Sequence, residues 1–233
     1  MDDKIKHVRA VEVFDSFILG LDLGQVNDFT GLVIAERIQT VKTGYPDRAE
    51  RVIRARDWHE KTIADDAMYY VRHIERVKLG TPYPDIVQRV QGLVQTKEIN
   101  NNYLLAVDHT GVGRPVYDLF KKAGLNTLGI TITGGNTVTG SRDNVKVAKS
   151  LLVGTVQALI QTKRVVFAKD MANVDLLQNE LLNFRVKITK SANEIYEARE
   201  GEHDDLVIAL AMALFAGERF CKPKQSAKQH SYL

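Results

Sequence analysis

An α/β domain, with a mixed central sheet of about five strands flanked by helices, is the fold class this sequence predicts. Three observations carry it. Short apolar runs come first as a group of three and later alternate with helix-length segments, a pattern that lays helices over both faces of a mixed sheet. The chain has 233 residues, 44% hydrophobic and 26% charged, enough to bury one large core. Two of the apolar runs end in aspartate, a residue that strands disfavour.

The first run, Phe17-Ile18-Leu19-Gly20-Leu21-Asp22, reads as a buried strand preceded by an extension or linker over residues 1–16. Asn27 and Asp28 form a turn, and Gly31 to Glu36 returns as a second strand in a hairpin-like connection. Arg51 to Trp58 alternates apolar and polar residues, as a third strand with one wet face does. Ala64–Val77 and Asp85–Glu98 read as helices, separated by Gly80-Thr81-Pro82-Tyr83-Pro84 because proline rejects helix interiors. Leu104 to Asp108 is a fourth strand. Pro115 near the start and Gly124 past the end bracket a short helix. Leu128 to Thr133 is a fifth strand, and residues 134–141 have the composition of a mobile loop. Helices are expected from about Val145 to Gln161, from Asn173 to Phe184 with Leu177, Leu181 and Phe184 on one face, and from Asp204 to about Phe215. The domain then spans 17–218, and residues 219–233 form a loose basic tail.

Composition sets limits on partners. The formal charge of +3 permits a polyanion partner without demanding one. The single cysteine, Cys221, excludes an intrachain disulfide and fits a reducing compartment. No apolar run reaches the roughly eighteen residues of a membrane span, and the polar amino terminus is unlike a secretory signal.

The chemistry-bearing residues are Asp22, Asp108 and the pair Asp204-Asp205. The first two end strands; the pair opens an apolar helix. Carboxylates gathered on core elements suit hard divalent cations such as Mg²⁺ or Mn²⁺, which prefer oxygen ligands. Two such ions, roughly 3.5–4 Å apart, activate water and stabilise the leaving oxygen in phosphodiester hydrolysis. Neighbours on a helix diverge by about 100°, so one of Asp204 and Asp205 faces the ions more fully. Asp204 also suits a helix N-cap, and Asp28 reads as a turn former.

Gly20-Leu21-Asp22-Leu23-Gly24 with Asp28-Phe29-Thr30, then Val107-Asp108-His109-Thr110-Gly111-Val112-Gly113, then His203-Asp204-Asp205-Leu206 resembles the nuclease domain of phage large terminase subunits. These motifs stand in that family's order, over about 17–215. The resemblance implies an RNase H-like fold and a metal-dependent endonuclease that cuts concatemeric double-stranded viral DNA during packaging in the host cytoplasm, with little sequence preference. It implies that Asp22 bridges two ions, Asp108 holds one, and Asp204 or Asp205 the other. An ATPase motor domain, a portal and a small terminase subunit are the implied partners. The motor's nucleotide loop is missing: Gly135 to Arg142 lacks the lysine that reaches β/γ-phosphates. His109 replaces the small polar residue expected there; it could move a proton or contact phosphate, but reads better as an ordinary surface histidine.

DNA contact would fall to Arg114, Arg142, Lys146 and Lys149, cations beside glycine-rich backbone. Two alternatives share parts of the pattern. A RuvC-type Holliday-junction resolvase would use the same carboxylates on a different substrate. An actin/Hsp70/sugar-kinase-like ATP-binding domain would use the two glycine-flanked aspartates as phosphate loops, and would leave Asp204-Asp205 without a role.

Overall fold

A computed structural model describes residues 7–24, 28–45, 61–110, 113–188, 194–197 and 203–221. Eleven strands and five helices occur among them. The central nine-stranded sheet has the order β7-β8-β6-β5-β1-β2-β4-β9, with β3 also paired to β2. β1 (His7–Asp22) and β2 (Thr30–Tyr45) form a long antiparallel hairpin. β4 (Met68–Val77) adds antiparallel to β2, and β9 (Val165–Phe167) adds parallel to β4. On the other side β5 (Tyr103–Asp108), β6 (Thr127–Thr133) and β8 (Asn144–Ala148) run parallel to β1. β7 (Val138–Ser141) closes that edge antiparallel to β8. A separate ribbon pairs β10 (Arg185–Ile188) with β11 (Glu194–Glu197).

Helices cover both faces, as expected. α1 (Tyr83–Val94) and α2 (Gly113–Lys122) pack Ile86, Val90, Val116 and Phe120 onto Leu19, Leu21, Leu105 and Val107. α3 (Lys149–Gln161), α4 (Val174–Asn183) and α5 (Asp205–Phe220) cover the opposite face, over Ile18, Val33, Leu104, Ala106 and Ile130. The period-2 alternation of strand side chains sorts residues of β1 and β5 between the two cores. α5 is buried from Asp205 to Gly217, which explains its almost unbroken apolar composition. It lies close against β1: a Cβ on Gly20 would strike the Ala209 carbonyl.

Several sequence expectations change. The sheet has nine strands rather than about five, because β3 (Lys61–Ala64), β7 and β9 are only three or four residues long, too short to show a period. The helix expected over Ala64–Val77 is instead the last residue of β3, a short connection and the whole of β4. There Ile34 pairs with His73 and Ala35 with Val71, so Arg72 is bulged out. The bulge keeps Tyr69, Val71 and Ile74 in one core and converts strand alternation into a helix-like three-residue spacing. The helix expected from Val145 begins at Lys149, since Val145 and Val147 alternate inward along β8. β1 begins at His7, ten residues before the strand start expected at Phe17, and α5 runs on to Phe220. The strand expected over Arg51–Trp58 lies outside the described residues. No helix among the described residues is long and apolar enough to cross a membrane.

Candidate metal centre

Leu21 pairs with Val107 between the parallel strands β1 and β5, so Asp22 and Asp108 occupy the next, adjacent positions. Neighbouring strands lie about 4.8 Å apart. Both carboxylates face α5, because Ile18 and Gly20 before Asp22, and Leu104 and Ala106 before Asp108, contact that side. One oxygen of Asp108 is held by the Thr110 backbone N–H at 2.8 Å, a local turn of the kind aspartate favours.

The third side of the site is the amino terminus of α5. Gly31 on β2, which pairs with Asp22, has no side chain, and a Cβ there would strike the Asp205 backbone. Asp205 thus sits against the hairpin and is 3% exposed. Its Oδ2 is buried without a hydrogen-bond partner among the described residues. The nearest cations are Arg76 Nε at 3.7 Å and His203 Nδ1 at 3.9 Å. His203 Nδ1 also lies 3.6 Å from Asp28 Oδ1, and ligand atoms of Asp28, His203 and Asp205 all fall within 4.8 Å of one another. Asp204 turns elsewhere: its Oδ2 pairs with Lys149 Nζ at 3.0 Å.

The electrostatics mark one crowded pocket. Burial raises the Asp22 carboxyl well above its ordinary range, and the charges of Asp108, Asp205, Asp204 and Asp28 raise it further. Burial also raises Asp108, against the opposing bonds from Thr110. Asp205 is pushed up to about 7, by burial first and then by Asp28 and Glu180. Carboxylates that cannot all ionise in a shared site repel one another. An orphaned buried oxygen, a donor set dominated by carboxylates and one imidazole together fit a divalent cation.

No family model and no curated protein sequence matches the chain. Solved structures do. The large terminase nuclease from thermophilic phage G20c with bound magnesium is 20% identical with a TM-score of 0.57, over 86% of this chain and 81% of that one. The same nuclease with bound cobalt gives the same values. The large terminase nuclease domain of Thermus phage P74-26 is 18% identical at a TM-score of 0.55, over 87% of this chain and 80% of that one. This chain has the terminase nuclease fold.

Within that fold the four cations expected to meet DNA are dispersed. Lys149 opens α3 beside Asp204, with its ammonium also 5.5 Å from the Phe184 ring. Arg114 is exposed in the first turn of α2, at the carboxylate end of β5. Lys146 is exposed on β8 and points away from the α5 side, since Val145 and Val147 point toward it. Arg142 bonds the side chain of Asn126, which in turn bonds the Tyr103 carbonyl. That places it at the far end of β5 from Asp108, roughly 16 Å along the strand. His109 is also turned away from Asp108, with its ring edge-on to Tyr117 at 5.1 Å and Nδ1 3.4 Å from Thr131.

Four residues around the site escaped the sequence reading. Asp28 looked like a turn former, and does accept the Phe29 N–H, yet its carboxylate also faces His203. His203 stood inside a quoted motif without a role. Arg76 and Glu180 lie 104 residues apart and bond each other; no local pattern announces such a pair.

Proposed function

We propose that this chain is a metal-dependent endonuclease that cuts concatemeric double-stranded viral DNA during genome packaging, by two-metal phosphodiester hydrolysis with little sequence preference. The observation that supports it is the adjacency of Asp22 and Asp108 at the ends of two paired parallel strands, with Asp205, whose Oδ2 is buried and unsatisfied among the described residues, near enough to raise the Asp22 carboxyl. The terminase nuclease fold supports the same reading. Two divalent cations, Mg²⁺ or Mn²⁺, would supply a water of lowered pKa and charge stabilisation at the leaving oxygen.

The residues then divide the work. Asp22, central among the acidic groups, would be a ligand for the bound ions. Asp108 would be a second, with its Thr110 bond fixing the orientation of the carboxylate. Asp205, with Asp28 and His203 beside it, would be a third. Asp204 lends charge at the rim, where Lys149 is placed to pass from carboxylate to substrate phosphate. Arg114 contacts the DNA backbone at the same end, with Lys146 and Arg142 farther out. An ATPase motor domain, the portal and the small terminase subunit would set when and where cutting occurs.

Supercoiled plasmid incubated with protein in Mn²⁺, Mg²⁺ or EDTA tests this, beside an Asp108→Ala control. Nicking and linearisation that need metal and vanish in the control are expected. Cutting confined to four-way junctions would point instead to the resolvase alternative. ATP-dependent stabilisation without cutting would favour the actin-like class.

A further inference from the structure

Asp204 occupies the N-cap position of α5 but makes no side-chain capping bond. The cap comes from another helix. Glu180 on α4, only 4% exposed, accepts the backbone N–H groups of Leu206 at 2.9 Å and Val207 at 3.2 Å through Oε2. Those are donors that a helix end otherwise leaves without partners. Its other oxygen accepts from Arg76 Nη2. The same guanidinium holds Nε 3.7 Å from Asp205 Oδ2, and neither atom has a hydrogen-bond partner among the described residues. Phe29 packs on the guanidinium, 4.9 Å from its ring centre.

One half-buried arginine, its Nε buried, thus stands between two buried carboxylates and is hydrogen-bonded to only one. We propose that Glu180 is a positioning residue for the metal centre, resting on the nuclease function above: it caps α5 in place of Asp204 and engages Arg76, so that Asp205 Oδ2 stays open to a cation. Groups that orient metal ligands without touching the ion commonly set its affinity. A carboxylate suits both tasks because it only accepts. In Glu180→Gln one amide oxygen accepts from α5, and the amide NH₂ faces the guanidinium, donor against donor. Arg76 then turns to Asp205, the nearest remaining carboxylate, and competes with the ion.

The test is Mn²⁺ binding to the metal-stripped 233-residue chain by calorimetry, with thermal unfolding in EDTA to establish that each variant folds. Glu180→Gln is expected to weaken binding roughly tenfold or more, the usual scale for losing such a partner. Adding Arg76→Gln to that variant is expected to restore most of the loss, because the competing cation is gone. Arg76→Gln alone keeps the cap and is expected to bind at least as tightly as wild type. It also remains informative if Glu180→Gln does not fold. Wild-type affinity in Glu180→Gln, no recovery in the double variant, or weakened binding in Arg76→Gln would each overturn the positioning role. Absence of Mn²⁺ binding in the wild type would overturn the nuclease function itself.

Discussion

Asp22 and Asp108 stand side by side at the carboxyl ends of two parallel strands, one position beyond the Leu21–Val107 pair. Antiparallel pairing would have put the carboxyl ends of the two strands at opposite ends of the sheet. Parallel pairing instead lets residues 86 positions apart, 22 and 108, share one sheet end and one face. The repulsion built into that adjacency makes the site measurable without any substrate.

Asp205 gives a pH signature. Its folded pKa is raised from 3.8 to about 7, so between those values the folded state holds more proton than the unfolded state. Stability of the metal-free protein should therefore fall as pH rises from about 4 to about 7. Thermal unfolding in EDTA across that range should show the decline, and Asp205→Asn should make it shallower, the remainder coming from the raised Asp22 and Asp108 carboxyls. Saturating Mn²⁺ should reverse it, since the bound ion favours the ionised carboxylate.

Asp22→Asn separates stability from activity. Removing one member of a repelling cluster should leave the metal-free melting temperature unchanged or raise it by a few degrees, about 2–4 °C per kcal/mol for a domain of this size. Cutting should drop roughly a hundredfold or more, the scale of losing one group that stabilises transition-state charge. A variant that cuts like wild type would remove Asp22 from the centre.

His203 should set metal preference. Imidazole suits a later transition ion such as Co²⁺ better than Mg²⁺ or Mn²⁺, which favour oxygen. His203→Ala is expected to lose several-fold more affinity for Co²⁺ than for Mg²⁺. Equal losses in parallel titrations would place the imidazole outside the coordination shell.

The cations should differ by position. Arg114→Ala should weaken binding to a catalytically silent Asp108→Ala protein and lower the salt slope by about one ion for B-DNA. Arg142, tied to Asn126 at the far end of β5, should contribute less. Binding of short duplexes at several salt concentrations compares the two. A larger slope change for Arg142→Ala would mean that DNA extends along the β7–β8 edge.

The legible parts of the chain were those whose signal is local. Phe17–Asp22 and Leu104–Asp108 are apolar runs ended by a carboxylate, and any fold that buries them must bring the aspartate to a sheet end. Asp205 opens α5 where its composition changes, within a residue of the expected start. The errors have equally local causes. The Arg72 bulge gave Tyr69, Val71 and Ile74 a helix-like spacing, and the brief alternation of Val145 and Val147 ran directly into α3.

From sequence alone, then, come the α/β class, helices over both sheet faces, and the placing of Asp22 and Asp108 at strand ends and Asp205 at a helix start, because hydrophobic period and turn chemistry act within a few residues. Tertiary structure decided the rest. It put the Asp28 carboxylate toward His203, sent Lys149 to Asp204, turned His109 to the other face, and supplied α5's cap from Glu180. Each outcome depends on which distant groups meet in a low-dielectric interior, where a carboxylate must find a partner or a proton, and no short stretch of chain encodes that meeting.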